Sequence, residues 1–144
     1  MLDRAWIAAH IPHQGTMCLL HAVLEWDERR IVCEALSHTL ADNPLRADGR
    51  LGAATGVEYA AQAMAVHGGL LAPEGTPPTQ GYLTSVRSLA LHVPRLDDLA
   101  GPLRISAERL SGDARLILYQ FHIHHHDHCV LEGRASVVLD AQSL

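Results

Sequence analysis

The stretch GVEYAAQAMAVHGG, residues 56–69, holds a single carboxylate, Glu58, among Ala, Val, Met, Tyr and Gly. Between Leu51 and Leu71 no other acidic or basic residue occurs apart from His67. An ionised carboxylate buried without partners costs several kcal/mol, so a lone Glu in the most apolar segment of a chain needs compensation or a use. Compensation would come from a core Arg such as Arg87, or from the positive end of a helix dipole. A use is offered by the entry DGRLGAATG, residues 48–56, whose small residues let a ligand approach the backbone N–H groups around Gly56. Amides at a helix start can stabilise an oxyanion. A carboxyl group a turn further in would then lie beside a bound carbonyl, with the parts of a general acid.

A second cluster invites a metal reading. FHIHHHDHC, residues 121–129, carries His122, His124, His125, His126 and His128. Alternate residues of a strand share a face about 7 Å apart, and imidazole is a common metal ligand. The opposite face is apolar: Ile117, Tyr119, Phe121 and Ile123. The cluster is therefore read as the polar outer face of a half-buried strand running into a turn at Asp127. An adventitious pair of His122 with His124 or His126 is the alternative, and no metal centre is expected.

Composition narrows the chemistry. All eleven Lys+Arg residues are Arg, which removes a Schiff-base lysine and the Lys of a phosphate-binding loop. GxGxxG is missing too, and no cofactor is expected. The formal charge of -5, with no basic run, argues against nucleic acid as partner. Cys18, Cys33 and Cys129 form no CxxC and are odd in number, as expected of reduced thiols in a cytoplasmic protein. Glu58, Gln62, His67 and the glycines argue against a membrane span over 51–71. With no linker or repeat, residues 1–144 read as one domain.

The elements that must position these groups follow from periodicity. LDRAWIAAHI reads as a short helix stopped by Pro12. Leu20–Trp26 and Ile31–Leu36 alternate on either side of DERR, as two strands joined by a charged turn. TLADNPLRADGR and APEGTPPTQG are loops, and the Ala-rich segment between them is a helix stopped at Gly68-Gly69. Strands are expected over 81–93, 103–110, 114–126 and 129–140, with hairpin turns at SGDA and HHDH. Leu131, Gly133, Ala135, Val137 and Leu139 form the inner face of the last. One long helix buried on all sides by a curved antiparallel sheet is an α+β arrangement.

The order of elements and the run GVEYAAQAMAVHGG resemble the hotdog-fold 3-hydroxyacyl-[acyl-carrier-protein] dehydratases, through Gly56, Glu58, Ala61 and Gln62. IPHQGTMCLLHAVLEWD resembles the family's opening segment through Pro12, His13, Leu19, Leu20 and Val23. The match is closer to the short dehydratase-like proteins of aryl polyene and type II polyketide gene sets, in the segments PHQGTMCLLHAV, NPLR and GVEYAAQAMAVHG. The resemblance covers residues 11–139.

It implies a dimer whose sites combine residues of both chains. A His removes the α-proton of a 3-hydroxyacyl thioester, a Glu protonates the leaving hydroxyl, and backbone amides hold the thioester oxygen. Glu58 takes the role of the acid, with Gly56 in the oxyanion region. The position that carries the family's base, fourteen residues before the acid, is Pro44. His38 is the replacement candidate, with His13 and His67 as weaker ones. Asn43, Tyr82 and Leu83 are candidates for substrate contact, with loop shaping or core packing as the alternatives; Leu89 and Leu91 are weighed the same way. Arg46 and Arg50 flank the presumed mouth as candidates for docking an acidic acyl carrier protein. The expected partner is a carrier-bound acyl thioester, met by a homodimer or by a heterodimer with a paralogous dehydratase. A catalytically incomplete subunit and an acyl thioesterase are the alternatives.

Overall fold

Residues 1–73, 81–113 and 115–139 are described by the computed structural model, without the side chains of 81, 82 and 139. The alternating segments form strands β1 (Leu2–Asp3), β2 (Ala22–Trp26), β3 (Arg30–Ala35), β4 (Gly81–Leu91), β5 (Leu103–Gly112), β6 (Leu116–His125) and β7 (His128–Leu139). They make one sheet in the order β1-β2-β3-β5-β6-β7-β4, antiparallel at every step. Helix α1 (Arg4–His10) opens the chain, and α2 (Gly56–Leu71) crosses between β3 and β4.

Alternation identifies the core face. Ile117, Tyr119, Phe121 and Ile123 of β6 are buried, as are Leu131, Ala135 and Val137 of β7 and Leu103, Ile105 and Ala107 of β5. Their shared face meets α2. Turn chemistry sets the register. Asp27 Oδ1 accepts the amides of Arg29 and Arg30 at 2.7 and 2.9 Å between β2 and β3. Asp113 does the same for Arg115 and Leu116 between β5 and β6. Short Asp side chains close such turns by accepting amides two and three residues on. At the β6–β7 turn His125 pairs with His128, and His126 takes a positive φ of 54°.

Two helix boundaries differ from expectation. The Gly68-Gly69 pair does not stop α2, which runs to Leu71 and caps at Ala72, whose N–H reaches Gly68 C=O. Pro73 follows, and the residue before a proline is pushed towards extended backbone. Neither glycine is forced by crowding: a Cβ on Gly69 would meet the His10 carbonyl at an ordinary contact distance of 3.6 Å, and one on Gly68 would meet nothing within 4 Å. At the other end, residues 51–53 run beside 94–96, with Leu96 N–H on Leu51 C=O and Ala53 N–H on Pro94 C=O. A 3-10 turn (Ala53–Thr55) then leads into α2. Most of the second expected loop, and the side chain of Leu139, lie outside the described residues.

α2 is not buried on all sides. Tyr59, Ala60, Gln62, Ala63, Met64, Val66 and His67 are buried, whereas Val57, Ala61, Ala65, Gly68 and Gly69 are half-buried and Glu58 is exposed. Two polar clamps fix the helix in this rotation. Gln62 accepts Leu19 N–H at 2.9 Å and donates to Met17 C=O at 2.6 Å. His67 Nε2 bonds the Asp27 carbonyl at 2.7 Å, so Nε2 bears the proton, and Nδ1 accepts the Tyr119 hydroxyl, also at 2.7 Å.

Burial holds His67 and His38 below the ordinary histidine value, so the fold binds both in the neutral form. An unfolded histidine titrates near 6.5. Below about pH 6.5 the unfolded chain therefore takes up more protons than the native one. Stability present above that pH is lost as pH falls towards the folded values, by up to about 1.4 kcal/mol per pH unit for each histidine. Urea titrations from about pH 7.5 to 5 should show the midpoint falling, with a shallower fall in His67→Gln. A midpoint constant across that range contradicts the assignment.

Candidate active site

Glu58 lies in the first turn of α2 and faces out. The expectation of a carboxylate enclosed by its own chain is not met. The reason is helical geometry: a step of one residue turns a side chain by about 100°, so Tyr59 takes the inward direction and Glu58 the stripe of small residues that the sheet does not cover. Arg87, weighed as an ion-pair partner for Glu58, instead stands opposite Arg134 across β4 and β7. Both line a cleft of about 570 Å³ on the sheet, together with Ser85, Ser111, Leu118 and Ser136.

Gly56 is buried at the helix start because the backbone passes tightly over the sheet. A Cβ there would lie 2.7 Å from a Leu131 methyl. Its own N–H bonds the carbonyls of Ala53 and Ala54, so the Gly56 amide closes the 3-10 turn rather than standing free for an oxyanion.

Tyr59 is the inward anchor, and sequence reasoning passed over it. Ser37 Oγ donates to Leu19 C=O at 2.8 Å. With its one proton committed, Ser37 accepts from the Tyr59 hydroxyl at 2.8 Å. Asn43 Nδ2 donates to the same hydroxyl at 2.9 Å and to Ser37 C=O at 3.0 Å, while its Oδ1 accepts Leu45 N–H at 2.9 Å. Every polar group of the Asn43 side chain is thus engaged within the loop, where it shapes the segment before α2.

The two arginines of that loop part ways. Arg46 donates to the carbonyls of Leu40, Gly49 and Thr39 at 2.8, 3.1 and 3.1 Å, and lies 3.8 Å from Asp97 Oδ2. Its guanidinium braces the loop from inside. Arg50 is exposed beside the tight turn at Asp48-Gly49, whose φ values are 53° and 75°. Asp97 stitches the helix entry to the 94–97 segment by accepting Leu51 N–H at 2.9 Å and by a two-point bond to Arg95, which holds its carboxyl well below the usual range.

His38 is fully buried in the 3-10 turn Ser37–Thr39 that follows β3. Nε2 bonds Leu99 C=O at 2.8 Å, so Nε2 carries the proton. Nδ1 is left as a lone pair, buried with no hydrogen-bond partner among the described residues. That is the form a base needs, but it is sealed inside the chain while Glu58 is open to solvent. His13 Nδ1 is likewise buried without a partner, and His67 is engaged at both nitrogens.

Leu83, Leu89 and Leu91 are exposed along β4 at the sheet edge. None of them is core. The side chain of Tyr82 lies outside the described residues.

An antiparallel sheet packed on one long helix, with a carboxylate in that helix's first turn, defines a hotdog-fold protein. The chain belongs to the ApeP-like family, described as ApeP dehydratase, which matches residues 5–143. Among solved structures it is similar to a chain of the dehydratase heterocomplex ApeI:P from Xenorhabdus doucetiae. That match has a TM-score of 0.83 and 22% identity over 95% of this chain and 92% of that one. It is also similar to a homologue of HP0420 from Helicobacter felis, with a TM-score of 0.63 and 13% identity over 93% and 88%. The thioesterase HI1161 from Haemophilus influenzae matches with a TM-score of 0.58 and 13% identity over 82% and 76%. No curated protein matches the sequence.

Tyr59→Phe separates the two sides of the helix. It removes the acceptor for a buried Asn43 N–H and the donor to Ser37, and should cost about 1–3 kcal/mol in chemical denaturation. Glu58→Gln, on the exposed side, should stay within about 0.5 kcal/mol of the parent. Equal losses for the two would contradict the placement of these side chains.

Proposed function

We propose that this chain is the acid-bearing subunit of a cytoplasmic heteromeric dehydratase acting on 3-hydroxyacyl thioesters carried by acyl carrier protein, in aryl polyene-type biosynthesis. The observation that carries the reading is Glu58: an exposed carboxylate on an otherwise uncharged stripe of small residues, in a member of a dehydratase family.

Such a reaction is an elimination. A base takes the α-proton, negative charge develops on the thioester oxygen, and the C3–O bond breaks as an acid delivers a proton. The products are a 2-enoyl thioester and water. Glu58 is the acid in this scheme. A general acid has to hold its proton near neutral pH, and removal from water favours the neutral form of a carboxyl group. Cover for Glu58 would come from a second subunit seated on the open stripe of α2. The exposed leucines of edge strand β4 add apolar surface for that subunit. A similar chain occurs in the dehydratase heterocomplex ApeI:P, which supports a paralogous partner over a second copy.

The base in this reading is the partner's, because His38 is sealed and bonded to Leu99 C=O. His38 then acts as a positioning residue for the segment after β3. Arg50, exposed at the loop tip, is the better of the two arginines for meeting an acidic carrier. The described residues contain no helix long and apolar enough to cross a membrane.

The test is turnover of a 3-hydroxyacyl-carrier thioester by this chain alone, by a paralogous dehydratase subunit alone, and by the two together, reading enoyl product and free thiol. Enoyl formation by the pair is expected, falling by about 10²–10⁴-fold in Glu58→Gln. His38→Asn should reduce it far less. Undiminished turnover in Glu58→Gln, or thiol release in place of enoyl product, overturns the proposal.

A further inference from the structure

The loudest motif of the sequence, the histidine run, has no part in the dehydration chemistry. The structure regroups it. β6 and β7 pair residue for residue from Leu116 to Ile123, with His122 opposite Glu132 and Ile123 opposite Leu131. The next pair is His124 with Cys129. β7 therefore spends one extra residue, Val130, on a single step of β6. A bulge of this kind re-aims the side chains beside it. Here Val130 and Leu131 are both buried, and Cys129 is brought beside Glu132 although the two are three positions apart. His92 is drawn to the same spot from the end of β4, since its N–H bonds the Val130 carbonyl at 2.9 Å.

The outcome is a compact set of donors. His92 Nε2 lies 3.1 Å from Glu132 Oε2, and Cys129 Sγ lies 3.4 Å from the same oxygen. The three donor atoms all fall within 4.8 Å of one another. His122 Nε2 approaches the other carboxylate oxygen, Oε1, at 3.8 Å. Around a tetrahedral ion with metal–nitrogen and metal–sulfur bonds of about 2.0 and 2.3 Å, neighbouring donors stand roughly 3.3–3.8 Å apart. All four side chains are at least partly open to solvent, so an ion has a path in.

We propose that His92, Cys129 and Glu132 form a binding site for a borderline divalent transition-metal ion of the zinc class, with solvent completing its shell. A thiolate with an imidazole and a carboxylate suits that class and not calcium or magnesium. A free thiol binds an ion of this class as thiolate, so binding exchanges one proton for the ion. The Cys129 S–H bond breaks, the sulfur binds as thiolate, and the proton leaves to solvent. The ion would tie the end of β4 to β7 beside the bulge.

The experiment uses the intact chain with Zn2+ and, as a spectroscopic probe, Co2+. One ion per chain is expected, with about one proton released and a thiolate-to-cobalt charge-transfer band. A Zn2+-dependent rise in Tm should accompany it. Cys129→Ser should abolish the band and weaken binding roughly tenfold or more. His92→Ala, at an exposed position that should not disturb folding, should weaken binding comparably. His126→Ala, in the turn, should change nothing. The proposal is overturned if Co2+ binds without the sulfur band, or if Cys129→Ser and His92→Ala bind as the parent does. It is equally overturned if affinity is lost with His126→Ala, which would mean adventitious binding by the histidine run.

Discussion

The seating of α2 in the sheet decides where everything else goes. A helix of sixteen residues has more surface than one curved sheet can cover, and here the uncovered part is a stripe through Val57, Glu58, Ala61, Ala65 and Gly68. The sheet takes the bulky side chains Tyr59, Met64 and Val66. The stripe keeps the small ones, and with them the one charged residue. Burial of apolar area alone would leave the rotation of such an Ala-rich helix loosely set, because many faces would be equally acceptable to a hydrophobic core. Buried polar contacts break that degeneracy.

Three side chains do this, one near each part of the helix. Tyr59 locks the first turn to the segment after β3 through Ser37 and Asn43. Gln62 holds the middle against Met17 and Leu19, and His67 holds the far end between Asp27 and Tyr119. Each is a buried polar group with its partners in place, so a different rotation would leave several donors and acceptors unpaired at about 1–3 kcal/mol apiece. The direction in which Glu58 faces is thus a consequence of groups on the opposite side of the helix. The loop before the helix is fixed in the same manner by Arg46 and by Asp97, which explains how a segment rich in Gly, Asp and Pro holds a definite path.

Strand alternation made most of the architecture legible in the sequence. The inner face of β6, and that of β7 from Leu131 to Val137, follow residue by residue, and the Asp-containing turns mark the hairpins. What alternation carries is local, and what it misses is long-range. Nothing in GVEYAAQAMAVHGG distinguishes an enclosed helix from one with an open stripe, since small residues serve both. Glu58 stands out in the sequence as the one charged group of the helix, but the sequence does not show that it faces outward. Asn43 and Arg46 stand in a polar loop, where the sequence does not tell a free side chain from one bonded to its own backbone. The bulge at Val130 was illegible for a related reason: one extra residue in a run of apolar and histidine positions leaves the pattern almost unchanged, yet moves Cys129 to the side of Glu132.

The central claim is that the open stripe of α2, with Glu58 on it, is the face a second subunit covers. Carbodiimide labelling of carboxyl groups, read residue by residue by mass spectrometry, tests this directly. The account predicts that Glu58 is modified in the isolated chain and protected once the paralogous subunit is bound, while Glu25 and Glu28 at the β2–β3 turn label equally in both. Continued modification of Glu58 in the assembled complex would contradict it.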